Sequence, residues 1–455
     1  MLASVYSYDT SLHALAYKPV AKKVHAILAP LDEEFRITQS LPDDLLSGLK
    51  PLPSHPPNFI PGVRFTQEHT DNLDLNCANW LWPDKVKLVH WIVLEHKMAV
   101  TWIPTEHSHL DERYVPPVKI PTVPHTPWVL QNIPIPPSMW TDTIQIIKDW
   151  ITSGIYEPSA AAYRLHWFCI LKQDGKSLCL IHNLQSLNVA TIQDLSTPPF
   201  VEHLAESFTI YAVYSMMDLF AGYDQRPLHP DSWDLTTFNS PLSPHRLTMI
   251  PMGYTNMVQI YQADMSFILQ DKIPHYSYPF IVDLPVKSVT TQYKNPDGSY
   301  ETIPDNPGIC HFIWEHLQVI HRILQRLENV GAMVSAKKFI LTVLDATIVG
   351  HKCTFDGRIP HEAKVQKICD WPECQNLTQV HGFLGVCGVL RIFIGDFASI
   401  TRPLVHLTKK GVPFDWGNLS RMLCSVLRML SVNPLCFIDW SMNLVGRLFW
   451  LLILP

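Results

Sequence analysis

Two rhythms of apolar residues alternate along the chain after Trp140. Across 140–154, Ile144, Ile146, Ile147, Trp150 and Ile151 return at near-helical spacing and Gly154 supplies a stop, which predicts a helix. The next two runs are rich in β-branched and aromatic residues and flank Asp174-Gly175, a strong hairpin signal. Phe208–Phe220 reads as a buried strand ending at Asp218. A second hairpin is predicted around Phe238–Met249, and a helix over Met257–Gln270. A further apolar run, PFIVDLPVK, reads as a strand that ends at Asp283 and breaks at Pro285. NPDGS, Asn295–Ser299, is a turn. The helix from Ile313 is the clearest: Leu317, Ile320, Ile323, Leu324 and Leu327 line one face, and Gly331 caps it. Alternating strands and helices predict an α+β or α/β core.

Before Trp140 the pattern differs. Eighteen of the 38 prolines lie there, in clusters such as Pro51–Pro61, Val115–Pro127 and Ile133–Pro137, which exclude regular helix and central strand. Residues 1–139 therefore read as an extended arm, tethered by aromatics such as Trp80, Trp82 and Trp102, with one helix at Val86–Met98.

Composition bounds the rest. Hydrophobic content of 47% against 17% charged residues specifies a folded chain, and 455 residues suffice for several domains. The net charge of -6 excludes a uniformly basic nucleic-acid binder. Between His321 and Lys367, however, eight basic residues face four acidic ones, a local basic stretch or a solvated face. The ten cysteines are scattered without a CxxC pair, and neither Cys369 with Cys374 nor His351 with Cys353 completes a zinc site. They read as reduced thiols of an intracellular protein, in cytoplasm or nucleus. The N-terminus lacks a signal-peptide pattern, and the apolar run Leu448–Leu454 is far shorter than a membrane span of about 20 residues, so no membrane partner is expected.

The candidate chemistry rests on Asp218 and Asp283, lone carboxylates in two apolar runs. Hard cations take oxygen ligands at about 2.1 Å, so carboxylates on neighbouring rigid strands are the parts of a magnesium site. Two such ions activate a 3′-hydroxyl and stabilise a leaving pyrophosphate in nucleotidyl transfer.

The order of segments resembles the reverse transcriptase of gypsy-type LTR retrotransposons, with fungal-type wording, from about Tyr156 to Trp416. KQDGKSLCLIHNLQSLN, Lys172–Asn188, is similar to the fingers hairpin and its following motif. DLFAGYDQ carries the first catalytic acid, Asp218, and the aromatic Tyr223, which in the family packs under the sugar. Pro251, Gly253 and Asn256 match a Pro-x-Gly-x-x-Asn motif that lies against template and incoming base. FIVD is the second acidic motif. VGAMVSAKKF, with Lys337, resembles the motif whose lysine sits near the triphosphate. Val349, Gly350 and His351 resemble the primer grip, and Lys364–Gly417 the thumb and connection. LCFIDWSMNLVGRLFWLLILP resembles the start of RNase H, then stops at Pro455.

The resemblance implies a right-hand polymerase of fingers, palm and thumb. Its expected divisions are the Pro-rich arm at 1–139, fingers and palm at 140–350, thumb and connection at 351–417, and a truncated RNase H-like start at 418–455. Asp218 and Asp283 would bind two Mg2+ ions. Lys172, Tyr223, Gly253 and Lys337 would bind the deoxynucleoside triphosphate, and Pro251, Asn256, Gly350 and His351 an RNA or DNA template–primer. The chain would be a fragment of a Pol polyprotein.

Three positions depart from the pattern. The family reads aromatic-x-Asp-Asp where this chain has Phe280-Ile281-Val282-Asp283, so Val282 stands in place of a metal-binding acid. Cys179 stands where an arginine grips the triphosphate, and a thiol cannot replace a guanidinium fork. Asn183 stands where many relatives have Asp. Val282 is expected to sit as a buried β-branched strand residue, compatible with the fold. Three readings follow: an RNA-directed DNA polymerase impaired at these positions, an inactive polymerase fold that still binds nucleic acid, or an α+β protein with no present role.

Overall fold

The computed structural model describes residues 27–73, 75–76, 80–103, 106, 108–171, 178–220 and 222–432. They form two compact units, one from residues up to 199 with 215–288 and 292–342, the other from 200–214, 289–291 and 343–432.

In the first unit, helices α1 (Gln67–Leu73) and α2 (Pro83–Glu95) lead to the short strand β1 (Val100–Thr101). Proline at the first helical position starts α2 without cost to the hydrogen-bond ladder. Leu88, Val89, Ile92 and Val93 form its buried face. Helix α3 (Trp140–Thr152) follows, then β2 (Tyr156–Pro158), β3 (Trp167–Leu171), β4 (Leu178–His182) and α4 (Gln185–Ala190). Strands β3 and β4 pair antiparallel, Leu171 opposite Leu178, as the hairpin signal predicts. The turn itself, with Lys172 and Asp174-Gly175, lies outside the described residues.

Strand β5 (Tyr214–Asp218) is buried along most of its length and ends at Asp218. The second hairpin forms from β6 (Phe238–Asn239) and β7 (Pro244–Leu247), with β2 on its far edge. Helix α5 (Met257–Ile268) precedes β8 (Asp283–Lys287), followed by β9 (Thr302–Ile303), β10 (Asn306–Cys310), α6 (His311–Asn329), β11 (Val334–Ser335) and β12 (Ile340–Val343). Strands β12, β5 and β8 form a three-stranded sheet in that order, which sets the two acidic segments side by side. All five predicted apolar positions of α6 are fully buried. The helix ends as expected at Gly331, whose φ of +75° only glycine adopts freely and where a Cβ would strike the His109 carbonyl.

Two expectations need correction. Asp283 opens its strand rather than ending it, and Pro285 lies inside the strand. Proline is tolerated because β8 is an edge strand of this sheet, and the Pro285 carbonyl still accepts the Ser277 hydroxyl at 2.8 Å. The Pro-rich segment is also held by more than aromatics. Trp102 does stack on His69 at 4.0 Å, but β1 pairs in parallel with β11, and the Leu110, Val118 and His229 amides bond to carbonyls across the unit. Its prolines leave backbone donors and acceptors on their neighbours free, and those neighbours supply the tethers.

The second unit contains the antiparallel sheet β13 (Asp345–Ile348), β14 (His351–Thr354), β15 (Gly357–Pro360). It continues with helices α7 (Glu362–Cys369), α8 (Leu377–Val389), α9 (Phe397–Leu407) and α10 (Asn418–Val432). The helices enclose a core of Ile368, Val380, Phe383, Leu404, Leu423 and Leu427 with the thiols of Cys374, Cys387 and Cys424. The described cysteines are free thiols. The RNase H-like sequence after 432 lies outside the described residues, and among those described no helix is long and apolar enough to cross a membrane.

Candidate active site

The acidic segments meet through their backbones. Phe280 and Asp283 exchange two hydrogen bonds, N–H to O of 2.8 and 2.9 Å, which closes a two-residue turn on Ile281 and Val282. Ile281 has φ of +58°, a left-handed conformation that costs a β-branched residue on the order of 1–2 kcal/mol. Val282 is therefore a half-buried turn residue and not the buried strand residue expected. Its carbonyl accepts the Leu219 amide at 2.9 Å, joining the turn to the residue after Asp218. On the other side the Phe220 amide donates to the Met333 carbonyl at 2.9 Å, which brings in the segment leading to Lys338.

Asp218 and Asp283 are thus neighbours. Burial pushes the Asp283 carboxyl up, the Asp218 charge pushes it further, and Lys338 opposes both. The Lys338 ammonium lies 2.9 Å from Asp218 Oδ2. Lys338, next to the Lys337 expected near the triphosphate, is the lysine that the short 3-10 turn Ala336–Lys338 directs at the acid. The sequence offered two adjacent lysines, and only the turn selects one.

A residue that the sequence reading passed over holds the turn in place. Gln262 on α5 is 8% exposed; its amide nitrogen donates to the Pro279 carbonyl at 2.9 Å and its oxygen accepts the Ile281 amide at 2.8 Å. A polar glutamine beside the apolar positions of α5, buried there with Asp264, was the available signal. Tyr261, its neighbour, packs edge-on against Tyr223 at 5.6 Å. Gly222 makes room for it, since a Cβ there would lie 2.6 Å from the Tyr261 hydroxyl. Tyr223 is half-buried, and burial raises its hydroxyl pKa.

The Pro-x-Gly-x-x-Asn motif is stitched to the segment after the fingers hairpin. Asn188 donates to the Gly253 carbonyl at 2.9 Å and accepts from the Thr255 amide at 3.0 Å. Asn256, 3% exposed, donates to Ile192 O and accepts from the Asp194 amide. Its amide is committed to the backbone, while Gly253, at φ of +93°, lies at the surface. Pro251 is buried. Cys179 faces Ile170 across the hairpin, half-buried. In the second unit, Val349 and Gly350, both at positive φ, turn β13 into β14, and the Gly350 carbonyl accepts Lys364 Nζ at 2.9 Å. His351 is buried against Phe393, and burial lowers its pKa, with Arg358 and Lys364 acting the same way.

The donor set at the acid pair does not match two hard cations. Two carboxylates converge, one of them already paired with an ammonium, and Val282 brings no oxygen on its side chain. Among the described residues no three His, Cys, Asp or Glu side chains are grouped to hold an ion.

A sheet that carries paired acids on adjacent strands, with a tight turn at the second, defines a reverse-transcriptase-type polymerase fold. Solved structures agree. The foamy viral protease–reverse transcriptase in complex with double-stranded DNA superposes with a TM-score of 0.69 at 20% identity, over 82% of this chain and 73% of that one. The same enzyme in complex with an RNA/DNA hybrid gives 0.65 at 20% identity, over 85% and 48%. The chain is a homologue of the Pol polyproteins of gypsy-type LTR retrotransposons. It is 20% identical over 404 residues to the retrovirus-related Pol polyprotein from transposon 412 of Drosophila melanogaster, covering 88% of this chain and 31% of that protein. It is 23% identical over 268 residues to the Pol polyprotein from transposon gypsy of the same species, 58% and 24%. With the Tf2-3 polyprotein of Schizosaccharomyces pombe the identity is 20% over 305 residues, 67% and 21%. The chain thus spans about a third or less of the curated relatives it matches. No family model matches it.

Proposed function

We propose that this chain is the RNA-directed DNA polymerase portion of a retrotransposon Pol protein, impaired in nucleotidyl transfer. The observation that carries the reading is the pair Asp218 and Asp283 joined through the Val282 carbonyl, with valine where a third carboxylate is needed. Magnesium is the cation this chemistry uses. Two carboxylates leave it short of oxygen ligands, and the missing electrostatic stabilisation falls on the transition state. Cys179 removes a second positive fork from the triphosphate side. Tyr223, Gly253, Lys172 and Lys337 would still meet the nucleotide, with Lys338 paired to Asp218 beside them. Pro251, Asn256, Gly350 and His351 would shape the path of an RNA or DNA template–primer.

Primer extension on a homopolymer template with magnesium or manganese tests the reading. The expected result is no extension by the native chain and measurable extension by Val282→Asp with Cys179→Arg. Clear incorporation by the native chain would refute the impairment. A second reading, a nucleic-acid-binding fold without catalysis, is favoured by the basic stretch from Arg322 to Lys367. It predicts binding to a primer–template that weakens log-linearly with salt. Absence of binding at about 50 mM salt rules it out.

A further inference from the structure

Two buried histidines lie between the N-terminal segment and α6, outside the acid pair. His96, directly after α2, is 0% exposed, and His321 on α6 is 3% exposed. His96 Nδ1 lies 2.9 Å from Glu328 Oε2, His96 Nε2 2.7 Å from His321 Nδ1, and His321 Nε2 2.7 Å from the Lys50 carbonyl. These three links run in one line from a carboxylate to a backbone oxygen.

Counting donors fixes the protonation. A carbonyl only accepts, so His321 Nε2 carries hydrogen. The link between the rings needs one hydrogen, and so does the link to the ionised Glu328 carboxylate. Three hydrogens are required and two neutral imidazoles supply two. All three links therefore hold together only with one extra proton, for which Glu328 is the counter-charge. Burial lowers the His321 pKa, and the charges of His96 and Arg322 act the same way, against the Lys50 carbonyl and Glu95. Lys50 is itself paired with Glu95 at 2.7 Å, and the Trp91 ring covers His321 at 5.5 Å.

We propose that Lys50, His96, His321 and Glu328 form a proton-held latch that fastens the N-terminal segment to α6 and opens as pH rises. The proton enters with folding and is shared by nothing in the unfolded chain. Its loss leaves two nitrogen lone pairs facing each other at one link, and that link breaks. Folded-state protonation gives stability that is present at acidic pH and lost as the proton leaves.

Ring nitrogen NMR of the histidine-labelled full chain tests this. One doubly protonated buried ring is expected at about pH 7.5, and it should vanish in Glu328→Gln, where a neutral amide replaces the counter-charge. Hydrogen exchange should show α2 amides opening at least tenfold faster above about pH 8, after correction for intrinsic exchange, in the native chain alone. Two neutral rings at about pH 7 in the native chain, or identical α2 exchange in native and variant across pH, overturn the latch. The native-chain spectrum decides even if Glu328→Gln fails to fold.

Discussion

Replacing Gln262 by methionine should unsettle the turn that presents Asp283 while leaving the packing volume of α5 nearly unchanged. In the native chain the amide satisfies two backbone groups, the Pro279 carbonyl and the Ile281 amide, and touches Ser266 at 3.2 Å. Methionine keeps the apolar length and removes both bonds. An orphaned donor or acceptor costs about 1–3 kcal/mol when water cannot reach it. Ile281 and Val282 are half-buried, so the two losses together should come to about 2–4 kcal/mol, toward the lower end if solvent enters. Strain adds to this, because Ile281 is held at φ of +58° by the bond its amide makes. Equilibrium urea unfolding, followed by fluorescence and circular dichroism, should show the midpoint fall at constant slope. A second readout is local: amides of β8 should exchange faster while those of α6 stay protected. A change in stability below about 0.5 kcal/mol would show that the turn holds without Gln262 and refute the reasoning.

Two further perturbations carry clear signs. Burial pushes the Asp224 carboxyl up to about 6, so the folded chain keeps a proton that the unfolded chain has lost. That contribution is complete below about pH 4 and lost as pH rises through about 6, up to about 3 kcal/mol, and thermal melting of Asp224→Asn should lack this slope. Arg226 and Asp264 are fully buried and 2.7 Å apart, with Gln39 bonded to Asp264 and the Val115 and Pro116 carbonyls to Arg226. Arg226→Met alone should cost about 3–5 kcal/mol by stranding the carboxylate, while Arg226→Met with Asp264→Leu should recover most of it in a double-mutant cycle.

Periodicity read the long elements well because one force dominates them. The face of α6 and the strand into Asp218 are apolar on a single repeat, and burial leaves them one register. The acidic turn failed on the same criterion: Phe280–Val282 is apolar throughout and runs straight into Asp283, and nothing in its pattern marks where the chain reverses. The reversal is imposed from outside, by Gln262 and by the Val282–Leu219 hydrogen bond. The same holds for Lys338, which a short turn and not the sequence pattern brings to Asp218. Glu328 and the two histidines carry no local mark of their partnership, since it joins residues more than two hundred apart in sequence. Such long-range polar links leave no local period to read.

This division between what the backbone holds and what the side chains supply bears on Val282. The turn is closed by the Phe280 and Asp283 backbones and clamped by Gln262, and Val282 enters it only through its carbonyl. None of these bonds involves the side chain at 282. Exchanging acid and valine there costs the fold little, for the same reason that it would cost the proposed chemistry much: under that proposal a carboxylate at 282 would be directed at a cation and not at the protein. The converse follows for repair. Val282→Asp adds a third negative charge beside Asp218 and Asp283, with Lys338 the nearest compensation. Without a divalent ion the variant should therefore be less stable than the native chain at neutral pH, and that deficit should shrink when magnesium or manganese is added. The native chain should show no such metal-dependent rise in melting temperature, and a rise of equal size in both would show that the two native acids already hold the ion without a third.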